Sequence, residues 1–208
     1  MINYQMQMKK ISKILVGTHN KGKFKELSYL LPKRLKKISP LKLKIKPPKE
    51  SGKTFLANSK LKANYFYKVS NIASISDDSG LLVSCLDGKP GIYSARWAKR
   101  YGGFKKAMKK IIEMVEKKNR NKKFKNTSAK FICSLTFRFS NRKIFNSVGK
   151  IDGNISNKIK GNNGFGYDSI FVPRKYNITF GQMKKKKKIL IDHRYVAYKN
   201  LKRKVNIL

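Results

Sequence analysis

Residues 129–140 read AKFICSLTFRFS. Phe131, Cys133, Leu135, Phe137 and Phe139 occupy alternate positions, so an extended chain places all five on one face. A face that apolar must be covered, which requires a second layer packed against it. Asn141 then marks a turn, and KIFNSVGKI after it reads as the partner strand of a hairpin.

The covering layer is legible elsewhere. KILVGT (13–18) reads as a short buried strand, and Phe24, Leu27 and Leu31 follow at helical spacing with Asn20 as N-cap. Pro32, Pro40, Pro47 and Pro48 break the next stretch, leaving loop with room for one edge strand. A second helix is expected from about Thr54, with Phe55, Ser59, Ala63 and Phe66 on one face. IASIS and GLLVSC are strand-like runs on either side of Asp77 and Asp78, with a bend expected at Ser79-Gly80. YGGFKKAMKKIIEMVEKK predicts a third helix, with Ala107, Met108, Ile111, Ile112 and Val115 on one stripe. NNGFGYDSIFVP is a glycine loop leading into a strand. A last helix is expected from about Ile189, with His193, Ala197, Leu201 and Val205 inward. Helices thus interleave with strands, and at least one strand pair is antiparallel. That pattern predicts an α/β layered fold built on a mixed sheet.

At 208 residues the chain suits one domain or two closely joined lobes. It carries 51 Lys and Arg against 10 Asp and Glu, a net charge of +41. Such a charge attracts polyanions. The lysines are spread along the whole chain, however, which reads equally as a solvated basic surface. Cys85 and Cys133 are far apart with no CxxC spacing, which fits a reduced, cytoplasmic chain. Two His cannot complete a zinc site with them at a familiar spacing. MINYQMQMKKISK at the start lacks the apolar core of a signal peptide, and no apolar run reaches the roughly 18 residues needed to span a bilayer. No membrane partner is therefore expected.

Three segments could carry chemistry. GTHNKGKF matches the phosphate loop G-x-x-x-x-G-K from Gly17 to Lys23, but Phe24 stands where Ser or Thr would ligate a metal. Strand, glycine loop and helix start remain a good setting for an anion, with Lys21 and Lys23 adding charge. An ordinary strand-to-helix turn has the same pattern. Asp77 and Asp78 could hold Mg²⁺ near phosphates, and one of them could deprotonate water; a capping turn is the plainer alternative. GNNGFGYD offers an aromatic face at Phe165 and an acceptor at Asp168 for a base, or simply a glycine hairpin. His193 and Arg194 add donors, although an inward His is commonly a core residue.

Together THNKGKFKEL, DDSGLLVSCLDGKPGIYSARWA, GNNGFGYDSIFVP and the HR pair of the last helix resemble the inosine triphosphate pyrophosphatase family. The segments come in the family's order and span nearly the whole chain as a single domain. The resemblance implies an elongated mixed β-sheet flanked by helices, in two lobes with a central cleft. It implies hydrolysis of a non-standard purine nucleoside triphosphate (ITP, dITP or XTP) to the monophosphate and pyrophosphate, with Mg²⁺. By this resemblance Thr18, His19, Asn20, Lys21, Gly22 and Lys23 cradle the triphosphate, and Lys62 reaches it from the second helix. Asp78 is the general base and a metal ligand, Glu50 the second metal ligand, and Ser79 a substrate contact. Phe165, Gly166, Tyr167 and Asp168 form the base pocket, which Lys188, His193 and Arg194 close. The family is typically a homodimer.

The chain departs from the family pattern at His19, commonly Gly, at Ala57, frequently acidic, and at Ile132, commonly His. Ser169, Gln182 and Asp192 replace a usual Pro, Glu and Ser. Two other readings compete with this one. A basic nucleic-acid-binding protein without hydrolase activity fits the charge but lacks a recognition module; weak non-specific nucleic-acid contact is compatible with the hydrolase. A P-loop NTPase is opposed by Phe24.

Overall fold

The computed structural model describes residues 11–205, so the first ten residues of the N-terminal stretch lie outside them. In chain order the elements are β1 (Lys13–Val16), α1 (Lys21–Leu30), β2 (Lys36–Ile38), α2 (Phe55–Ser70), β3 (Ser74–Val83), α3 (Ser94–Arg100) and α4 (Phe104–Asn119). There follow β4 (Ser128–Ser140), β5 (Lys143–Ile155), β6 (Phe171–Pro173), α5 (Lys185–Ile189) and α6 (His193–Lys202). The strand order is β2-β1-β3-β4-β5-β6. β1 runs parallel to both β2 and β3, whereas β5 and β6 are antiparallel. The sheet is therefore mixed, as the interleaved pattern predicts, and the proline-broken stretch contributes only the three-residue edge strand β2.

The chain divides into two compact units. The first comprises the residues up to Asp78, Cys133–Gly149 and the residues from Arg194; the second comprises Ser79–Ile132 and Lys150–His193. The strands β3, β4 and β5 each pass from one unit into the other along the chain.

In the first unit β1 is covered on both faces. Ile14 and Val16 join Leu27 of α1, Leu135 and Phe137 of β4, and Ala197 and Leu201 of α6 in one cluster. Leu15, on the opposite face, packs with Ile38 and with Phe66 of α2. Burying side chains of this size stabilises by about 1.5–3 kcal/mol each. A polar pin adds direction: Ser59 Oγ lies 3.0 Å from Ser134 Oγ and 2.8 Å from Thr136 Oγ1 of β4. In the second unit Phe131, Phe171 and Phe180 gather with Leu81, Val83, Ile111 and Ile170. The stripe expected on α4 is present, with Ala107, Met108, Ile111 and Val115 buried.

Local signals set the helix starts. Asn20 Oδ1 accepts from Lys23 N at 3.0 Å, and Thr54 Oγ1 accepts from Ala57 N at 3.0 Å, satisfying first-turn amides.

Two expectations are corrected. No bend divides IASIS from GLLVSC: β3 runs unbroken through both aspartates. Gly80 serves close approach rather than a turn, since a Cβ there would meet Gly91 O at 2.2 Å. The last helix begins at His193, not near Ile189, and the lysine run forms the separate five-residue α5. The side chains of His193, Ala197 and Leu201 are nonetheless buried as the spacing predicts.

Candidate active site

Because β3 is unbroken, successive side chains leave it on opposite faces. Asp77 and Asp78 therefore meet different partners. Asp77 is 0% exposed. Its Oδ2 lies 3.1 Å from Lys23 Nζ on α1 and 3.3 Å from Arg194 Nε at the start of α6. Arg194, itself buried, bonds through Nη1 to the buried Glu26 of α1. Two cations and two carboxylates thus balance in one set, of which only Lys23 is partly exposed. Burial alone would raise the Asp77 pKa, but Lys23, Arg194 and Lys62 overcome it and hold the carboxyl well below the usual range.

Asp78 has the opposite character. Burial pushes its carboxyl up; Lys62 and Lys23 pull it partly back, while Glu50 raises it further. Two residues of α2 grip it. Asn58 Nδ2 donates to Oδ2 at 3.1 Å, and Lys62 Nζ lies 3.5 Å from Oδ1. They are four residues apart, one helical turn, so both reach the same carboxylate. Asn58 Oδ1 also accepts from Gly52 N at 2.8 Å, tying down the segment that carries Glu50. Lys62 Nζ donates to Glu50 Oε1 at 2.5 Å. Burial would lower the Lys62 pKa; Asp78, Asp77 and Glu50 outweigh it and keep it raised.

Glu50 and Asp78 share one ammonium and present hard oxygen donors. No group of three His, Cys, Asp or Glu suited to a metal occurs among the described residues. That donor set fits Mg²⁺, which is commonly held by one or two carboxylates, with substrate phosphates and water completing the shell. It does not fit an all-protein zinc site.

At the phosphate loop, Asn20 spends its side-chain oxygen on the α1 cap, and Thr18 Oγ1 accepts from Asn20 N at 3.2 Å. Helix geometry leaves the Lys21 and Gly22 amides without an intrahelical acceptor. His19 turns its Nε2 to Ile45 O, 2.9 Å away, and its ring sits 6.0 Å from that of Phe66. The structure thus gives His19 an internal partner.

The second unit gathers a separate cluster. Asp168 Oδ2 accepts from Phe165 N at 2.9 Å and from Lys188 Nζ at 3.2 Å. Gly164 has φ +78, and a Cβ there would lie 2.2 Å from that same oxygen, so only glycine leaves room for the bridge. Lys188 is 2% exposed, pairs also with Asp192 at 3.2 Å, and lies 5.1 Å from the Phe165 ring centroid. The His193 ring stacks on Phe131 at 4.7 Å. Tyr167 is buried: its hydroxyl donates to Ser94 O at 2.9 Å, its ring meets Phe104 edge-on, and burial raises its pKa. Tyr167 therefore shapes the Phe165–Asp168 turn from behind. Gly166, between Phe165 and Tyr167, is half-buried, as is Ser79, which follows Asp78 in the chain.

The first unit thus brings Lys23, Lys62, Glu50 and Asp78 into one charged set, and the second brings Phe165, Asp168 and Lys188 together. Arg194 is buried, and two of its nitrogens serve Glu26 and Asp77. Sequence reasoning missed Asn58, Glu26 and the role of Asp77. The one available signal was the Asn58–Lys62 spacing on a helix facing the Asp pair.

The Ham1 family profile matches residues 14–204. The dITP/XTP pyrophosphatase of Caulobacter vibrioides is 37% identical over 92% of this chain and 96% of its own, and that of Oceanobacillus iheyensis is 39% identical over 93% and 98%. Among solved structures, a HAM1 protein from Coxiella burnetii superposes with a TM-score of 0.83 at 26% identity, covering 95% of this chain and 100% of that one. The Staphylococcus aureus Ham1 protein gives 0.76 at 32% identity, with 93% and 98% covered. The resemblance carried by the four motifs is borne out, and the chain belongs to the Ham1 family.

Proposed function

We propose that the chain is a nucleoside triphosphate pyrophosphatase that hydrolyses non-standard purine nucleoside triphosphates (ITP, dITP and XTP) to the monophosphate and pyrophosphate. The single observation that carries the mechanism is the opposed setting of Asp77 and Asp78. Two neighbouring carboxyls driven apart in pKa mark an acid–base assignment. Asp77 stays ionised and holds Lys23 and Arg194. Asp78, with its raised pKa, is the base.

In the reaction, an Asp78 carboxylate oxygen takes a proton from water. The water oxygen bonds to the α-phosphorus, and the bond from that phosphorus to the bridging oxygen breaks. Pyrophosphate leaves with the electron pair. Lys23 and Lys62 offset the charge on the phosphates, aided by the α1 amides at Lys21 and Gly22. Thr18 and Asn20 fix that loop by their side-chain hydrogen bonds. Glu50 and Asp78 are the carboxylates that would hold Mg²⁺, which supplies Lewis-acid neutralisation of phosphate charge.

The second unit reads the base. Phe165 supplies a stacking face, and the donors of Lys188 and His193 suit a purine with oxygen at C6. Adenine presents a donor there and would leave them mispaired, which such sites reject strongly. The resemblance supports a homodimer. Cys85 and Cys133 are in no disulfide, consistent with work in the cytoplasm. Among the described residues no helix is long and apolar enough to cross a membrane.

The test is product analysis across ITP, dITP, XTP, ATP and GTP with Mg²⁺. Monophosphate and pyrophosphate from the first three, with ATP and GTP poor, are expected. Release of inorganic phosphate with a diphosphate, or no turnover of any of the five, overturns the reading.

A further inference from the structure

The segment 117–125, KKNRNKKFK, places six Lys or Arg in nine residues. All six cations are exposed. Within this run Phe124 is 82% exposed, with Lys123 Nζ 5.9 Å from its ring centroid. Phe124 is the most exposed of the large hydrophobic side chains given for the described residues, and it stands among cations. The segment is also pinned. The buried Asn119 donates from Nδ2 to Val115 O at 2.8 Å and to Asn126 O at 3.0 Å, and its Oδ1 accepts from Asn126 N at 2.7 Å. One side chain thus ties the backbone at Asn126 back to the end of α4, which pins both ends of the loop 120–126.

A pocket of about 280 Å³ adjoins the loop. Ile112, Val115 and Ile155 give it apolar walls, Thr127 and Asn157 give it hydrogen-bonding groups, and Arg120 and Lys125 of the run line it. Glu116 is the one carboxylate among its lining residues; the nearby Glu113 is paired with Lys110 at 3.2 Å.

We propose that this loop and pocket form a binding site for single-stranded nucleic acid, separate from nucleotide hydrolysis. Cations spaced along a pinned loop track a phosphate backbone, and an exposed aromatic ring stacks an unpaired base. The pocket offers a second base apolar walls and hydrogen-bonding side chains. A duplex hides its base faces, so Phe124 gains nothing from it. The strong positive charge of the segment selects a polyanion over an apolar or basic partner.

The test is fluorescence anisotropy of the full-length protein with a labelled single-stranded dodecamer, as DNA and as RNA, and with the matching duplex. Phe124→Ala is expected to weaken single-strand binding about tenfold and leave duplex binding unchanged. Lys122→Ala with Lys123→Ala is expected to lower the salt slope for single strands by about 1.4, roughly 0.7 per lost phosphate contact. A control pair elsewhere, Lys33→Ala with Lys36→Ala, removes the same charge and should change neither. Hydrolysis of ITP should be unaffected by every variant, so loss of this proposal leaves the pyrophosphatase reading standing. The proposal fails if Phe124→Ala binds single strands as the parent does, or if the control pair weakens binding as much as the loop pair. It also fails if Phe124 matters only for vesicles of phosphatidylserine and phosphatidylcholine.

Discussion

Asp77 and Asp78 are chain neighbours on one unbroken strand, yet one is driven down in pKa by Lys23 and Arg194 and the other is pushed up by burial. On the proposed mechanism this divergence separates a structural carboxylate from the base, and it makes their amide variants distinguishable. Asp78→Asn should reduce kcat roughly 10²–10⁴-fold, the usual worth of a positioned base, with little loss of stability. Asp77→Asn should destabilise the fold by about 3–5 kcal/mol, because it leaves Arg194 and Lys23 facing a neutral amide in a buried site. Urea denaturation and steady-state kinetics on both variants check this. Full activity in Asp78→Asn would remove it as the base.

The acid limb of the activity profile should report Asp78. Its carboxyl must be ionised to accept the proton, so kcat/KM should fall as pH decreases through its titration. Asn58 donates to the ionised form and so lowers that pKa. Asn58→Ala should therefore move the acid limb to higher pH. A limb that stays in place, or moves down, contradicts the assignment.

Stability at low pH should depend on Asp77. A carboxylate whose folded pKa is depressed contributes stability that is fully present above its unfolded pKa, about 3.9. That contribution is lost as pH falls from there toward the folded value. The parent protein should thus lose stability steeply below about pH 4, and Asp77→Asn should flatten that slope. Chemical denaturation at a series of pH values measures both curves; equal acid slopes would show that Asp77 contributes nothing.

Gly164 should not tolerate a side chain. Gly164→Ala combines φ +78 with a Cβ 2.2 Å from Asp168 Oδ2. The strain should be about 1–3 kcal/mol, and the Asp168 bridge between Phe165 N and Lys188 should give way. If Phe165 stacks the base, KM for ITP should rise while kcat changes less. An unchanged KM in a folded variant argues against that cluster as the base site.

Much of the fold was legible because it is a matter of period and local chemistry. Alternation marked β4 through Phe131, Cys133, Leu135 and Phe137, and 3.6-residue spacing marked α4 through Ala107, Met108, Ile111 and Val115. Asn20 and Thr54 marked two helix starts, since a side-chain cap acts within three residues. The four motif segments likewise identified the family, because each is a contiguous run of the chain.

Only the tertiary structure decided which charge each buried group answers to. The partner of Asp78, Asn58, lies 20 residues away; the Arg194 partners Asp77 and Glu26 lie 117 and 168 residues away. Periodicity reveals which face a side chain occupies, not what is carried to that face by a distant segment. It therefore could not show that β3 runs straight through Asp77 and Asp78, that Tyr167 packs inward, or that Arg194 belongs with Asp77. The physical reason is that desolvation and Coulomb energy depend on distance in space, and chain spacing records distance only within one element.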